Sequence, residues 1–271
     1  MTQTAFEFLE FPKTTAKPRG VRWTILSDRG LNVVDQSHLL DMVHDIVDRM
    51  KNVDHVGLLQ RHPPDRIIEK NEICRRYGIG VFPGGVPFEI AYMQGKASAF
   101  FRRLIDLGFT GVEISADCIP PIAPDTRDRL IREATDLGLE VFTEVGYKRV
   151  GDVLGNEMLE VEDTVRSISA DINAGALKVT IESNELTNFM QHEQLGRLIA
   201  IVEAVGLDRL VFEIGAGGKV NAELAIWLLE KLGSDVNVEN IEPDRLLHFE
   251  AMRRGLSRAG NFKFFADRLA T

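Results

Sequence analysis

The sequence is short of almost everything that would take it out of the ordinary globular class. It holds two cysteines, Cys74 and Cys118, in 271 residues. Two cannot make a disulfide framework, and no Cys-x-x-Cys or Cys/His spacing points to structural zinc. Such usage fits a reducing compartment, so a cytoplasmic location is expected. No apolar run reaches the roughly 18 residues of a membrane-spanning helix. The segment Met1 to Lys17 lacks the uninterrupted apolar core of a secretory leader. Basic charge is in deficit: 32 Lys and Arg against 41 Asp and Glu leave a formal charge of −9. An acidic chain is a poor general binder of nucleic acid or anionic membrane, so neither is expected as a partner. There is no Walker spacing, and no Ser/His/Asp or Cys/His nucleophile signature.

What is present is a repeated unit, a short apolar run followed by an amphipathic stretch. The runs are Val21–Asp28, His55–Gln60, Ile79–Phe82, Gly111–Ser115, Glu140–Val145, Ala176–Ile181, Arg209–Ile214 and Val236–Ile241. Short runs rich in Val, Ile and Phe suit buried parallel strands. Helical spacing is expected over His38–Lys51, Ala97–Leu107, Pro124–Leu137, Leu159–Ala174, His192–Ala204, Ala222–Lys231 and Asp244–Arg254. Gly108, Gly138, Gly175 and Gly206 each stand just past an apolar helix end, where a left-handed cap is cheapest for glycine. Strands alternating with helices require a parallel sheet covered by helices. An open doubly wound sheet satisfies that pattern too. Eight units in about 250 residues favour a closed (β/α)8 TIM barrel. The expectation is therefore one α/β barrel domain over 1–271, with its core at about 17–260 and short N- and C-terminal extensions.

In a barrel the chemistry sits at the carboxyl ends of the strands. Four successive runs place a glutamate there: Glu113, Glu144, Glu182 and Glu213. One buried carboxylate can be a structural ion pair. Four at equivalent positions suggest a cluster of oxygens, which suits a hard cation such as magnesium. Crowded carboxylates also suit acid/base work, because each raises the pKa of the next. Glycine-rich turns follow two strands, Phe82-Pro83-Gly84-Gly85 and Gly215-Ala216-Gly217-Gly218-Lys219. Either is a tight turn or a place where backbone N–H groups meet an anion, with Lys219 adding charge. Arg29, Arg61 and Lys148 follow strand ends and are placed to meet an anionic substrate.

These residues, taken in order, resemble the phosphosulfolactate synthase family. The resemblance runs from about Lys17 to Leu256. It is carried by Phe82-Pro83-Gly84-Gly85 with Phe88-Glu89 and Gln94-Gly95-Lys96, then Val112-Glu113-Ile114-Ser115 and Glu144-Val145-Gly146. Asp171 with Ala174-Gly175-Ala176, Val236-Asn237 and Asn240-Ile241 complete it. The resemblance implies a barrel lyase that uses magnesium and adds sulfite to the enol double bond of phosphoenolpyruvate. A metal would hold the substrate carboxylate, and a protein acid would deliver a proton to carbon. On that basis Glu113, Glu144 and Glu182 are metal or acid/base residues, and Glu213, from its strand-end position, joins them as an expected metal residue. Lys148 is the expected proton donor, with Glu144 and Arg29 beside it as catalytic candidates. Arg29, Arg61, Gly84, Gly85, Gly217, Gly218, Lys219 and Asn237 are the expected substrate contacts. A homo-oligomer is the base-rate expectation for barrels.

The chain departs from the family pattern mainly where anions would bind. Asp28-Arg29-Gly30 stands for Asp-Lys-Gly, keeping the charge but changing its shape. Ser183-Asn184 stands where an arginine is expected, and Glu239 where the family often has glycine. The expectation is thus a divergent member. Two alternatives stay open: a lyase or isomerase acting on another anionic carboxylate, and a non-catalytic binding barrel.

Overall fold

A computed structural model describes residues 5–53, 58–146, 160–216, 219–258 and 260–269. Its strands are β1 (Thr24–Asp28), β2 (Arg49–Asn52), β3 (Gly80–Pro83), β4 (Gly111–Ile114), β5 (Glu140–Val145), β6 (Lys178–Ile181), β7 (Leu210–Glu213), β8 (Gly215–Ala216), β9 (Lys219–Val220) and β10 (Val238–Ile241). The pair β8–β9 is a two-residue antiparallel hairpin directly after β7. The other eight strands form one parallel sheet in the order β3-β2-β1-β10-β7-β6-β5-β4. Its two edges meet at Thr110. The Thr110 N–H donates to Val81 O at 2.9 Å, and its hydroxyl accepts from Val81 N at 2.8 Å. The result is the expected (β/α)8 barrel, nearly closed, with the seam between β3 and β4.

The helices end as their sequence punctuation requires. Gly108 and Gly138 adopt φ of 80° and 87°. The next residue then reaches back to cap the helix: Phe109 N to Leu104 O at 3.0 Å, and Leu139 N to Ala134 O at 3.1 Å. One apolar core fills the space between strands and helices. A second, made by Trp23, Ile25, Phe82, Phe142 and Val211, fills the barrel itself. Phe82 and Phe142 stack there with centroids 4.2 Å apart. Below them Trp23 lies between the Arg49 guanidinium and the Lys178 ammonium, each 4.3 Å from its ring. Arg49 is held by Glu140 in a bidentate pair at 2.8 and 2.6 Å. This plug shuts the amino end and leaves the carboxyl end for a site.

The second strand lies elsewhere than its hydropathy suggested. It was expected over His55–Gln60, inside a chain whose preceding helix covered His38–Lys51. The helix spans Val33–Val43, the strand is Arg49–Asn52, and Leu58–Arg61 is a short helix. The reason is electrostatic. β2 reads Arg-Met-Lys-Asn because both charged side chains point into the barrel and find carboxylates there. An interior strand built on ion pairs carries no apolar signature. Helices Pro64–Arg76, Gly85–Met93 and Ser183–Gln191 add to those read from spacing.

Candidate active site

Side chains alternate along each strand, so one parity faces the barrel axis. Above the aromatic layer that parity is polar. β2 contributes Lys51, β4 Glu113, β5 Glu144, β7 Glu213 and β10 Glu239, all of them buried. The Lys51 ammonium is the hub. It stands 2.5 Å from Glu113 Oε2, 3.2 Å from Glu239 Oε1 and 3.7 Å from Glu144 Oε1. Burial pushes the Glu239 carboxyl up to about 7; Lys51 opposes that rise, and the charges of Glu144 and Glu213 add to it. Glu213 Oε2 makes no hydrogen bond among the described residues.

A second layer of oxygen lies nearer the opening. Glu182, fully buried just past β6, and Asp117, on the loop after β4, meet Glu144 there. One carboxylate oxygen from each of Asp117, Glu144 and Glu182 lies within 4.8 Å of the other two, and the same holds for Glu113, Glu144 and Glu239. Glu144 belongs to both sets. The lower set already surrounds an ammonium. The upper set consists entirely of hard oxygen donors, the chemistry of a magnesium-like ion.

A bulge in β10 aims two further groups at the site. Register with β1 slips between Thr24↔Val238 and Leu26↔Ile241. Asn240 takes a left-handed φ of 61° at the slip. It is held by Ser27 Oγ, which donates to its Oδ1, and by Gly215 O, which accepts from its Nδ2. Glycine at 215 is required, since a Cβ there would strike Asn240 O. The extra residue resets parity, so Glu239 faces the interior, Ile241 joins the outer core and Glu242 turns to the opening beside Arg29. Arg29 is 40% exposed and 3.8 Å from Glu242.

The expected site residues divide accordingly. Glu113, Glu144, Glu182 and Glu213 all lie in the carboxyl half of the barrel interior. Arg29 stands at the rim. Arg61 is exposed on the short helix after β2 and makes no described contact with the acids. Gly84 and Gly85 do not form a vacant anion cradle. Gly84 N–H donates to Asn52 O at 2.7 Å, and Gly85 N–H donates to Glu113 Oε1 at 2.6 Å. Both donors serve the protein's own acceptors. Asn237 lies at the opposite, amino end of β10. Its Nδ2 donates to Leu207 O and Leu210 O, and its Oδ1 accepts from Trp23 N, so its amide ties strands together there. Lys148, Gly217 and Gly218 lie outside the described residues, as does the side chain of Lys219. Sequence reasoning did not single out Lys51, Asp117 or Glu239 for the site. Glu239 sits in an apolar run like the other four glutamates and could have been found on that ground.

Fold and site together define a parallel (β/α)8 barrel whose interior is lined by acids toward its carboxyl end. The chain belongs to the (2R)-phospho-3-sulfolactate synthase (ComA) family, whose model matches residues 12–258. It is 32% identical over 258 residues to the phosphosulfolactate synthase of Methanothermobacter thermautotrophicus, covering 93% of this chain and 95% of that one. It is 33% identical over 261 residues to that of Methanocaldococcus jannaschii, covering 93% and 96%. The Bacillus subtilis enzyme of the same name is 27% identical over 256 residues, covering 92% and 95%. The chain is thus an enzyme of this lyase type. Among solved structures, a protein described as a lyase/mutase from Burkholderia cenocepacia J2315 aligns with TM-score 0.51 at 15% identity, over 88% of this chain and 82% of that one. At that identity it speaks for the fold alone.

Proposed function

We propose that this enzyme adds sulfite to phosphoenolpyruvate to give (2R)-phospho-3-sulfolactate, with magnesium held by Asp117, Glu144 and Glu182. The carrying observation is the upper oxygen triad, shared through Glu144 with a lower triad that a lysine already fills. Among the described residues, glutamates 113, 144 and 239 gather around the Lys51 ammonium, and the Asp117–Glu144–Glu182 oxygens lie beside that cluster. The donor set fits a hard divalent ion. Bound there, the ion would draw the substrate carboxylate in and take up negative charge that develops on it.

The protein's own groups supply the rest. Sulfite sulfur forms the new C–S bond at the methylene carbon. The π electron pair moves to the carbon bearing the phosphate and into its carboxylate. A proton from Lys148 then reaches that carbon. Arg29 at the rim serves the substrate's anionic end, and the Phe82–Phe142 layer keeps water out from below. Glu113 and Glu213 act on the ion through the interior field. A content of only two cysteines and an acidic chain support a reducing, cytoplasmic setting, and a homo-oligomer belongs to the same reading.

Purified protein with magnesium, phosphoenolpyruvate and sulfite is expected to consume the enol absorbance, and Lys148→Ala to abolish that loss without unfolding the chain. No loss at high enzyme concentration would reject this substrate pair. A second reading then applies, a different anionic carboxylate, favoured by the engagement of Arg29 with Glu242. A magnesium-dependent thermal shift without turnover supports that second reading. No metal effect at all supports a binding barrel.

A further inference from the structure

Glu89 is a buried carboxylate outside the two acid clusters of the barrel. It lies on helix Gly85–Met93 and is 2% exposed. Its acceptors are spent on one short stretch of chain. Ser115 Oγ donates to Oε1 at 2.6 Å, Asp117 N–H donates to Oε1 at 2.7 Å, and Cys118 N–H donates to Oε2 at 3.1 Å. Two successive backbone N–H groups converging on one carboxylate fix the peptide plane between them. That plane carries the Asp117 side chain. The same helix begins with Gly85, whose N–H holds Glu113 Oε1. Glycine is needed there because a Cβ would collide with the Ser115 hydroxyl. One helix therefore grips both ends of the β4 contribution: Glu113 at its start and Asp117 one turn later.

We infer that Glu89 is a positioning residue that holds Asp117 in the ion-binding triad with Glu144 and Glu182. The inference rests on the metal reading given above. The loop after β4 runs from Ser115 to Ala123 without regular structure before the next helix. A carboxylate on such a loop reaches two strand-borne partners only if its backbone is fixed. Groups that orient a metal ligand without touching the metal typically govern about 10–100-fold of its affinity. A glutamine at 89 keeps the shape and one acceptor oxygen, but presents an NH2 to the Cys118 N–H or to the two donors now on Oε1. Its effect is expected to be intermediate.

The test is Mn2+ binding to the full chain, followed by electron paramagnetic resonance, without substrate. Glu89→Ala is expected to weaken Mn2+ binding about 10–100-fold and Glu89→Gln less. Asp117→Asn weakens it as well. Adding Glu89→Ala to Asp117→Asn then costs little more, because Glu89 acts through a ligand that is already gone. A role in stability alone gives the opposite pattern: a lower melting temperature, unchanged Mn2+ affinity in the folded fraction, and effects that add. If Asp117→Asn weakens binding but folded Glu89→Ala and Glu89→Gln do not, the positioning role is wrong. If Asp117→Asn leaves Mn2+ affinity unchanged, the triad is not the site, and the inference falls with it. Should the alanine variant fail to fold, the glutamine variant and its double mutant carry the comparison.

Discussion

At Glu239 a buried carboxylate sits between an ammonium and two other acids. Its folded carboxyl is raised from 4.5 to about 7, by burial first, with Lys51 opposing and Glu144 and Glu213 adding to the rise. Between those values the folded chain keeps a proton that the unfolded chain has lost. The stabilisation is therefore fully present below about 4.5 and is lost as pH rises through about 7. For a fully buried group the size is on the order of 3 kcal/mol. In EDTA, the urea midpoint of the native protein should fall between pH 5 and pH 8. Glu239→Gln, neutral throughout, should show a flatter profile. Equal slopes in the two proteins would place the proton elsewhere.

Elements differ in how far their sequence announces them, and β2 and β10 show why. The strand-end glutamates were legible because each interrupts an apolar run, and burial makes a lone acid conspicuous. Lys51 was hidden for the converse reason: it lies in Arg-Met-Lys-Asn, a stretch that reads as surface until its carboxylate partners are known. Glycine-rich turns signalled close approach correctly, but the N–H groups of Gly84 and Gly85 meet the protein's own oxygens, Asn52 O and Glu113 Oε1. The Asn240 bulge left no mark in hydropathy, because parity is a property of pairing and not of composition. It is testable as an element. A left-handed φ of 61° costs a β-branched residue about 1–2 kcal/mol more than glycine. Asn240→Gly loses only the side-chain bonds to Ser27 and Gly215. Asn240→Val loses those and strains the backbone, so it should be the less stable variant by about that margin in urea titration. A valine variant as stable as the glycine one would show that the bulge can be ironed out.

The whole barrel divides its charges by end. At the amino end Arg49 pairs with Glu140, and Trp23 lies between that guanidinium and the Lys178 ammonium, which donates to the Gly20 and Asp208 carbonyls. At the carboxyl end the described residues bring buried carboxylates together around Lys51, the arrangement on which the proposed metal site rests. Barrels commonly separate a stability face from a chemical face in this way. The division makes opposite demands on two glutamates. Glu140→Gln breaks a bidentate pair that is partly exposed, so it should cost about 1 kcal/mol once solvent screening is allowed for. It lies beneath the aromatic layer and should leave Mn2+ affinity where it was. Glu182→Gln replaces a fully desolvated charge with a neutral isostere. Metal-free, it should remain folded, because glutamine keeps the shape and a neutral amide is cheaper to bury than a carboxylate. Its Mn2+ affinity should fall tenfold or more. Thermal melts in EDTA and Mn2+ titrations on the same two proteins decide the matter. If Glu140→Gln weakens Mn2+ binding as much as Glu182→Gln does, the two ends are coupled through the core and the division does not hold.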